Sequence, residues 1–452
     1  MQTTPKLVII GAGSAVFTQG LIMDLIATQR GEAWELGLVD INAEALDTVA
    51  LLAQKMVSGK SAPITIAAST DRKEILPGAD FVVSTIGVGG RRAWEADVFV
   101  PRAYGIYQPV GDTVMPGGIS RAMRMIPALV DIANDIHDLC PSACFFNYAN
   151  PMASNCTAIR RATPVPVVGL CHGVHDSLRS LAGELGVPFD DLTAGAVGIN
   201  HLTFVYQLRA AGRDLMPELR SSIARRRVRG IDRERIGALA WTDGGEEINP
   251  FSWSLFETLG AYPVPGDRHV TEFFADVFPG GDYYGKRLGV DAFPFEPVIE
   301  SGDRQYAQMT ELARSGAPLD DSFFGRFTGE HEQLLSIIDS IRTDARRIYS
   351  VNVPNGSAYS NLPAGAVLEL PALAGANGIM ALPFDNFPDT IAPVIRRHLD
   401  IIDLTVEAAL TGDRRFMIEA ILAGGYERDR SRVAAMVDEL LAVHAEHLPQ
   451  FA

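Results

Sequence analysis

The chain has 452 residues, 47% of them hydrophobic, which is enough to bury the cores of two domains. Its 55 acidic residues outnumber 39 basic ones, and the net charge of −16 excludes nucleic acid and anionic membrane surfaces as partners, since both are held by a basic face. No apolar run reaches about 18 residues and no signal peptide is recognisable, so the expected location is the cytoplasm.

The first element is the run Lys6 to Ile10 (KLVII), which reads as a buried strand and breaks at once into Gly11-Ala12-Gly13-Ser14 ahead of a helical pattern. A strand that turns on glycines into a helix brings backbone N–H groups up to a pyrophosphate. The third glycine of a full G-x-G-x-x-G is missing, with Val16 in its place. The next strand, Glu35 to Asp40 (ELGLVD), ends in an acid placed to accept hydrogen bonds from two ribose hydroxyls, which favours NAD over NADP. Gly11, Gly13, Ser14 and Asp40 are therefore candidate cofactor residues, with Thr85 from the end of the fourth strand.

Further strands near Ile64, Phe81, Ala143 and Val165 alternate with amphipathic helices. This is an α/β pattern, a Rossmann-like parallel sheet covered on both faces, whose ligands lie beyond the carboxyl ends of the strands. Three polar segments follow strands in that way: Ser84-Thr85-Ile86-Gly87, Asn147-Tyr148-Ala149-Asn150-Pro151 and Cys171-His172-Gly173. Residues 1–200 are thus expected to form the NAD-binding domain. Residues 201–452 carry longer helices, loops rich in Gly and Pro and a strand near Ala366 to Leu370, the pattern of an α+β catalytic and dimerisation domain. Such a pair of domains is a malate/lactate dehydrogenase-like architecture. The basic run Arg225 to Arg235 is interrupted by acids and reads as a solvated helix and turn. From Thr390 onward the chain is helical, and the stripe Ile401, Leu404, Val406, Ala409 belongs to core or dimer surface.

Cys140, Cys144, Cys156 and Cys171 show no C-x-x-C spacing, which argues against both a disulfide framework and a zinc knuckle. The first three read as buried apolar residues. Cys171 differs, because GLCHGVHD (169–176) and GINHLTF (198–204) each present a ligand after a strand, so that a thiolate and the imidazole of His201 could meet around one divalent metal. Two more motifs carry polar residues. In GIYQPVGDTVMPGGISRAMR, from Gly105 to Arg124, Asp112 precedes the pair Gly117-Gly118 at a helix entry, where glycines could let backbone approach a ligand. In YPVPGDRHVTEFF, from Tyr262 to Phe274, Asp267, Arg268 and His269 share a turn with no packing purpose visible in the sequence.

The GAGS turn, QPVGDT with PGGISRAMR, NYANPM, CHG, GINH, GDRH with TEFF, and VPNGSAYSNLPAGAVLELP (353–371) together resemble glycoside hydrolase family 4, the NAD- and metal-dependent glycosidases, over nearly the whole chain. The resemblance implies oxidation of sugar C3 by NAD⁺, loss of the acidified C2 proton to a base, elimination of the C1 substituent, addition of water and re-reduction. It implies Cys171 and His201 as ligands of Mn²⁺, Asp112 and Asn150 as contacts to sugar hydroxyls, and His172 as general acid. His172 stands where the branch acting on phosphorylated sugars carries an Asp, which points to unphosphorylated substrates. Asp267 is the expected C2 base, with Tyr262 as rival. GDRHVTEFF is similar to members cleaving α-linked hexuronic acids, an α-glucuronidase or α-galacturonidase, and Arg91, Arg92 or Arg268 could hold the carboxylate. The alternatives are a neutral α-galactosidase or α-glucosidase, and a malate/lactate-type NAD-dependent dehydrogenase. The implied partners are a small glycoside and a second copy of the chain, as homodimer or dimer of dimers.

Overall fold

β1 (Lys6–Ile10) and β4 (Phe81–Ser84) pair in parallel at the middle of a sheet and are buried almost throughout, which is why both read as unbroken apolar runs. With β2 (Trp34–Val39), β3 (Ile64–Ser69), β5 (Cys144–Asn147) and β6 (Val167–Gly169) they form six parallel strands in the order β3-β2-β1-β4-β5-β6. The strand order reverses between β1 and β4, and a crevice opens there beyond their carboxyl ends. This computed structural model describes residues 4–15, 17–28, 31–228, 249–325, 332–384 and 387–451. Val16 lies outside the described residues; the basic run enters the helix Met216–Val228 and then leaves them too.

The sheet does not stop at β6. β7 (Leu192–Ile199), β8 (Leu202–Ala210), β9 (Arg213–Asp214) and β10 (Tyr262–Val264) follow in the chain. Beyond the separate hairpin of β11 (Asp282–Tyr283) and β12 (Lys286–Arg287) come β13 (Arg347–Pro354), β14 (Val367–Gly375) and β15 (Gly378–Ala381). β13 pairs antiparallel with β6 through Asn352 and Gly169, and β14 meets β7 through Glu369 and Gly198. Among the described residues the result is one 13-stranded sheet, parallel in its first half and antiparallel in its second.

The apolar stripe near the C-terminus is core: Ile401, Val406 and Ala409 are buried in the helix Ala392–Thr411, which packs on the helix Met115–Leu139. Gly117 and Gly118 open that second helix, but not for a ligand. A Cβ on Gly117 would lie 2.7 Å from the Asp97 carbonyl oxygen and one on Gly118 2.4 Å from the Thr113 carbonyl carbon, so the glycines let the helix sit against the helix Gly90–Ala103 and its own approach loop.

Three helices are tied by one buried ionic cluster. Arg124 donates to both oxygens of Asp97 at 2.9 and 2.7 Å, and His444 Nε2 lies 2.9 Å from Asp97 Oδ1, with both members of the Arg–Asp pair fully buried. Burial alone would raise the Asp97 carboxyl, but the bonds from Arg124 and His444 outweigh it and hold the group below its usual range. Asp97→Ala leaves Arg124 without its countercharge and is expected to cost about 3–5 kcal/mol in urea unfolding. A loss under about 1 kcal/mol, the size seen for exposed pairs, would show that the cluster is not dry.

Candidate active site

The three segments expected to carry function after β4, β5 and β6 meet on one wall. A cavity of about 1050 Å³ is lined by Ser14, Thr85, Asp112, Asn150, Cys171, His172 and His201, together with Arg121, Tyr148, Tyr262, Arg268 and His269. The end of the cavity at the glycine turn is built by backbone. Gly11 and Ala12 donate N–H to the Val39 carbonyl at 2.8 and 2.9 Å, and Thr85 Oγ1 donates to the Gly11 carbonyl at 2.9 Å. Gly11 has φ +88°, and a Cβ there would sit 2.7 Å from the Ile86 nitrogen. Asp40 accepts from Gly13 N on Oδ2 and from Asn42 N on Oδ1, which leaves each oxygen a second acceptor site.

The other end is imidazole and carboxylate. Asn200 and His201 form the two-residue turn between β7 and β8, and His201 takes the left-handed backbone with φ +68°, rare for a side-chain-bearing residue. That turn aims the ring at Asp112 and His269: one ligand atom from each of the three lies within 4.8 Å of the others. The His201 and His269 rings tilt together with centroids 4.0 Å apart. Burial lowers the His201 imidazole to about 4, and burial, then the repulsion that a second protonated ring beside His201 would meet, takes His269 well down too, so both rings are neutral at pH 7 and hold lone pairs for a cation. Asp112 is pinned by Thr113 Oγ1 at 2.6 Å and by Asn150 Nδ2 at 2.9 Å.

Cys171 lines the same cavity but stands outside the group that draws Asp112, His201 and His269 together. Burial, and then the nearby Glu369, push its thiol up to about 12, against which the Gly173 N–H donates to Sγ at 3.4 Å. His172 is exposed at the cavity wall, as the residue before the helix Gly173–Leu185. The four cysteines are free thiols, and Cys140 and Cys156 are buried as expected while Cys144 is partly exposed.

Asp267 does not share the cavity wall. Its Oδ1 accepts from Ser252 N and Oγ at 2.8 and 2.6 Å and its Oδ2 from Phe251 N and Tyr283 Oη at 2.8 and 2.6 Å. Four donors fill the four acceptor sites of a carboxylate. Arg91 and Arg92 are also elsewhere, both paired with Asp303. Arg268, by contrast, lines the cavity with Nε buried and without a hydrogen-bond partner among the described residues.

Residues 6–187 match the model of the family 4 glycosyl hydrolases, and residues 196–424 match the model of that family's C-terminal domain. The chain belongs to glycosyl hydrolase family 4. It is 30% identical to an alpha-galactosidase of Rhizobium meliloti over 99% of this chain and 90% of that one. To an alpha-galacturonidase of Bacillus subtilis it is 28% identical over 96% of both. Its fold matches a solved 6-phospho-alpha-glucosidase from gut microorganisms, in complex with NAD and Mn²⁺, at a TM-score of 0.85 and 21% identity over the whole of both chains. Family membership displaces the malate/lactate-type dehydrogenase reading.

Two buried carboxylates of this family 4 glycosidase lie inside the quoted motifs without having been singled out there, Glu272 in YPVPGDRHVTEFF and Glu369 in VPNGSAYSNLPAGAVLELP. Glu369 lies in β14 with Oε2 accepting from Thr203 at 2.9 Å, and burial raises it to about 7. A lone acid inside the apolar run VLELP was the available sign. Glu272 accepts from Val110 N and Gly111 N on Oε1, both at 2.8 Å, while Oε2 is buried without a partner among the described residues. Burial raises it from 4.5 to about 8. Between those values the folded chain keeps a proton that the unfolded chain releases. Its contribution to stability is therefore full below 4.5 and is lost as the pH climbs toward 8, at about 1.4 kcal/mol per unit. Glu272→Gln keeps the Oε1 acceptor and removes the titration, so unfolding at pH 8 should need more denaturant in the variant than in the wild type. Parallel stability curves from pH 5 to 8 would refute this assignment.

Proposed function

We propose that this chain hydrolyses α-glycosides of unphosphorylated sugars, with hexuronides preferred, using NAD and a divalent cation, Mn²⁺ before others. The observation that carries the reading is the meeting, in one cavity, of a glycine turn at the head of a helix with a cluster of two neutral imidazoles and a carboxylate. The turn and the open acceptor sites of Asp40 fit a dinucleotide, and the mixed nitrogen and oxygen donors fit a borderline-hard cation. His201 belongs both to this cluster and to the Cys171–His201 pair implied by the motifs, with Asp112, His269 and Cys171 as the further ligands available. Residues 1–200 are read as the NAD-binding domain and 201–452 as the catalytic and dimerisation domain; the gap between the two family models, at 187–196, supports that division.

When bound, the dinucleotide supplies reversible oxidation at sugar C3 and the cation supplies Lewis-acid polarisation of the adjoining oxygens. The chain itself holds and deprotonates the sugar. Asn150 donates from Nδ2 to Asp112 at 2.9 Å and keeps its side-chain oxygen Oδ1 for a sugar hydroxyl, its main-chain carbonyl being held by Arg121. His172, exposed at the wall, donates a proton to the leaving oxygen. Asp267 has no open lone pair with which to take the C2 proton, whereas Tyr262, the rival named from the same motif, lines the cavity, and the base role is assigned to it.

The uronide preference rests on Arg268. A guanidinium on a cavity wall without a carboxylate partner among the described residues is a site for a substrate carboxylate. Aryl α- and β-glycosides in neutral, uronic and 6-phosphorylated forms, assayed with NAD⁺, Mn²⁺ and a reductant, should show the α-uronide turned over fastest. Arg268→Gln should lower kcat/KM on the uronide by about 10- to 100-fold, the worth of a charge-assisted hydrogen bond, and change neutral hexosides little. Faster hydrolysis of neutral substrates by the wild type, or an equal loss on both substrates in the variant, would overturn the preference.

A further inference from the structure

We propose that Thr113 is a positioning residue that fixes the tautomer of His201 and thereby keeps its Nε2 lone pair available to a cation; the cation itself rests on the function proposed above. The hydroxyl of Thr113 stands between two partners. It lies 2.6 Å from Asp112 Oδ1 and 2.8 Å from His201 Nδ1, and both Thr113 and His201 are buried. An ionised carboxylate only accepts, and a hydroxyl has one proton to give. If that proton went to Nδ1, two oxygen acceptors would face each other at 2.6 Å inside the protein. The arrangement that satisfies both contacts has Thr113 donating to Asp112 and His201 Nδ1–H donating to Thr113. A neutral imidazole protonated on Nδ1 carries its lone pair on Nε2.

The backbone alone would not secure this. The Asn200-His201 turn places the Cα of His201 and sets φ at +68°, but it leaves open which ring nitrogen holds the proton. Thr113 closes that choice. Metal-binding histidines generally have the second nitrogen held by an outer partner, and losing that partner weakens metal binding by about 10- to 100-fold. Here the partner continues into the sugar site, because Asp112 Oδ2 accepts from Asn150 Nδ2 at 2.9 Å. One hydrogen-bonded row, His201, Thr113, Asp112 and Asn150, thus ties the orientation of a candidate ligand to that of a substrate contact.

Thr113→Val preserves the shape of the side chain and removes the hydroxyl, whereas Thr113→Ser keeps the hydroxyl. Nitrogen-15 spectra of histidine-labelled protein without metal should show His201 as the Nδ1–H tautomer in the wild type and in Thr113→Ser, with the Nε2–H form gaining population in Thr113→Val. Mn²⁺ affinity, read from the spin-resonance signal of unbound Mn²⁺, should fall about 10- to 100-fold in Thr113→Val and less than about threefold in Thr113→Ser. An Nε2–H ring in the wild type would overturn the proposal, as would Mn²⁺ binding in Thr113→Val equal to that of the wild type. If the wild type binds no Mn²⁺, the cation in the proposed function fails, and the tautomer spectra still decide the role of Thr113.

Discussion

His201→Ala should lower glycosidase turnover about 1,000-fold at saturating Mn²⁺, with the fold intact. The residue is shared by both ligand sets the site offers, and a cation on reacting oxygens is worth several kcal/mol, each 1.4 kcal/mol being about a factor of ten in rate. The substitution also tests folding, because φ +68° suits glycine better than alanine. His201→Gly should therefore be the more stable of the two and equally inactive. If either variant kept more than about a tenth of wild-type turnover, the cation would not be held through this ring. Cys171→Ser and His269→Gln, compared for Mn²⁺ affinity, then show which set completes the shell, the larger loss marking the true ligand.

Gly11→Ala should cost both stability and dinucleotide affinity, by an amount that a control makes measurable. A left-handed residue other than glycine costs about 1–2 kcal/mol. At Gly11 the new Cβ would also press within 2.7–2.9 Å of the backbone at Thr85 and Ile86, where no side chain can swing away. Gly31 has a similar φ, +82°, and a methyl group added there would meet nothing within 4 Å among the described residues. Gly31→Ala carries the backbone penalty alone, and the difference in urea unfolding between the two variants measures the clash. NAD affinity, by titration calorimetry, should drop about 100-fold in Gly11→Ala, the equivalent of some 3 kcal/mol, and stay unchanged in Gly31→Ala. Equal affinities would detach the turn from the cofactor.

The parallel half of the sheet was legible because its central strands are buried on both faces, only the edge strand β3 being largely exposed, and because their order in the chain is their order outward from the switch point. KLVII, ELGLV and FVVS carry their burial in their composition. The antiparallel half was not, since its joints are long-range: Gly169 meets Asn352 and Gly198 meets Glu369 through single register pairs that no local pattern announces. The site divides in the same way. Cys171, His172, Asn150 and Thr85 were found because ligands gather after strand ends, and they do line one cavity. Asp267 looked like a functional acid for the lack of a visible packing role, but its donors come from Phe251, Ser252 and Tyr283, at least 15 residues away in the chain. His269 sat in the same motif, and only the fold brings it against His201. Arg91 and Arg92 were plausible carboxylate partners until Asp303, on the distant helix Glu296–Arg314, proved to hold both.

Hydrolysis of an aryl α-uronide in D₂O, with the released sugar analysed at C2, bears most directly on whether this chain breaks a glycosidic bond by way of a C3 ketone. Deuterium is expected at C2 of the product, with no net accumulation of NADH and with loss of both hydrolysis and exchange in Tyr262→Phe. A product with only protium at C2, or hydrolysis undiminished after NAD and divalent cation have both been stripped from the enzyme, would contradict that route.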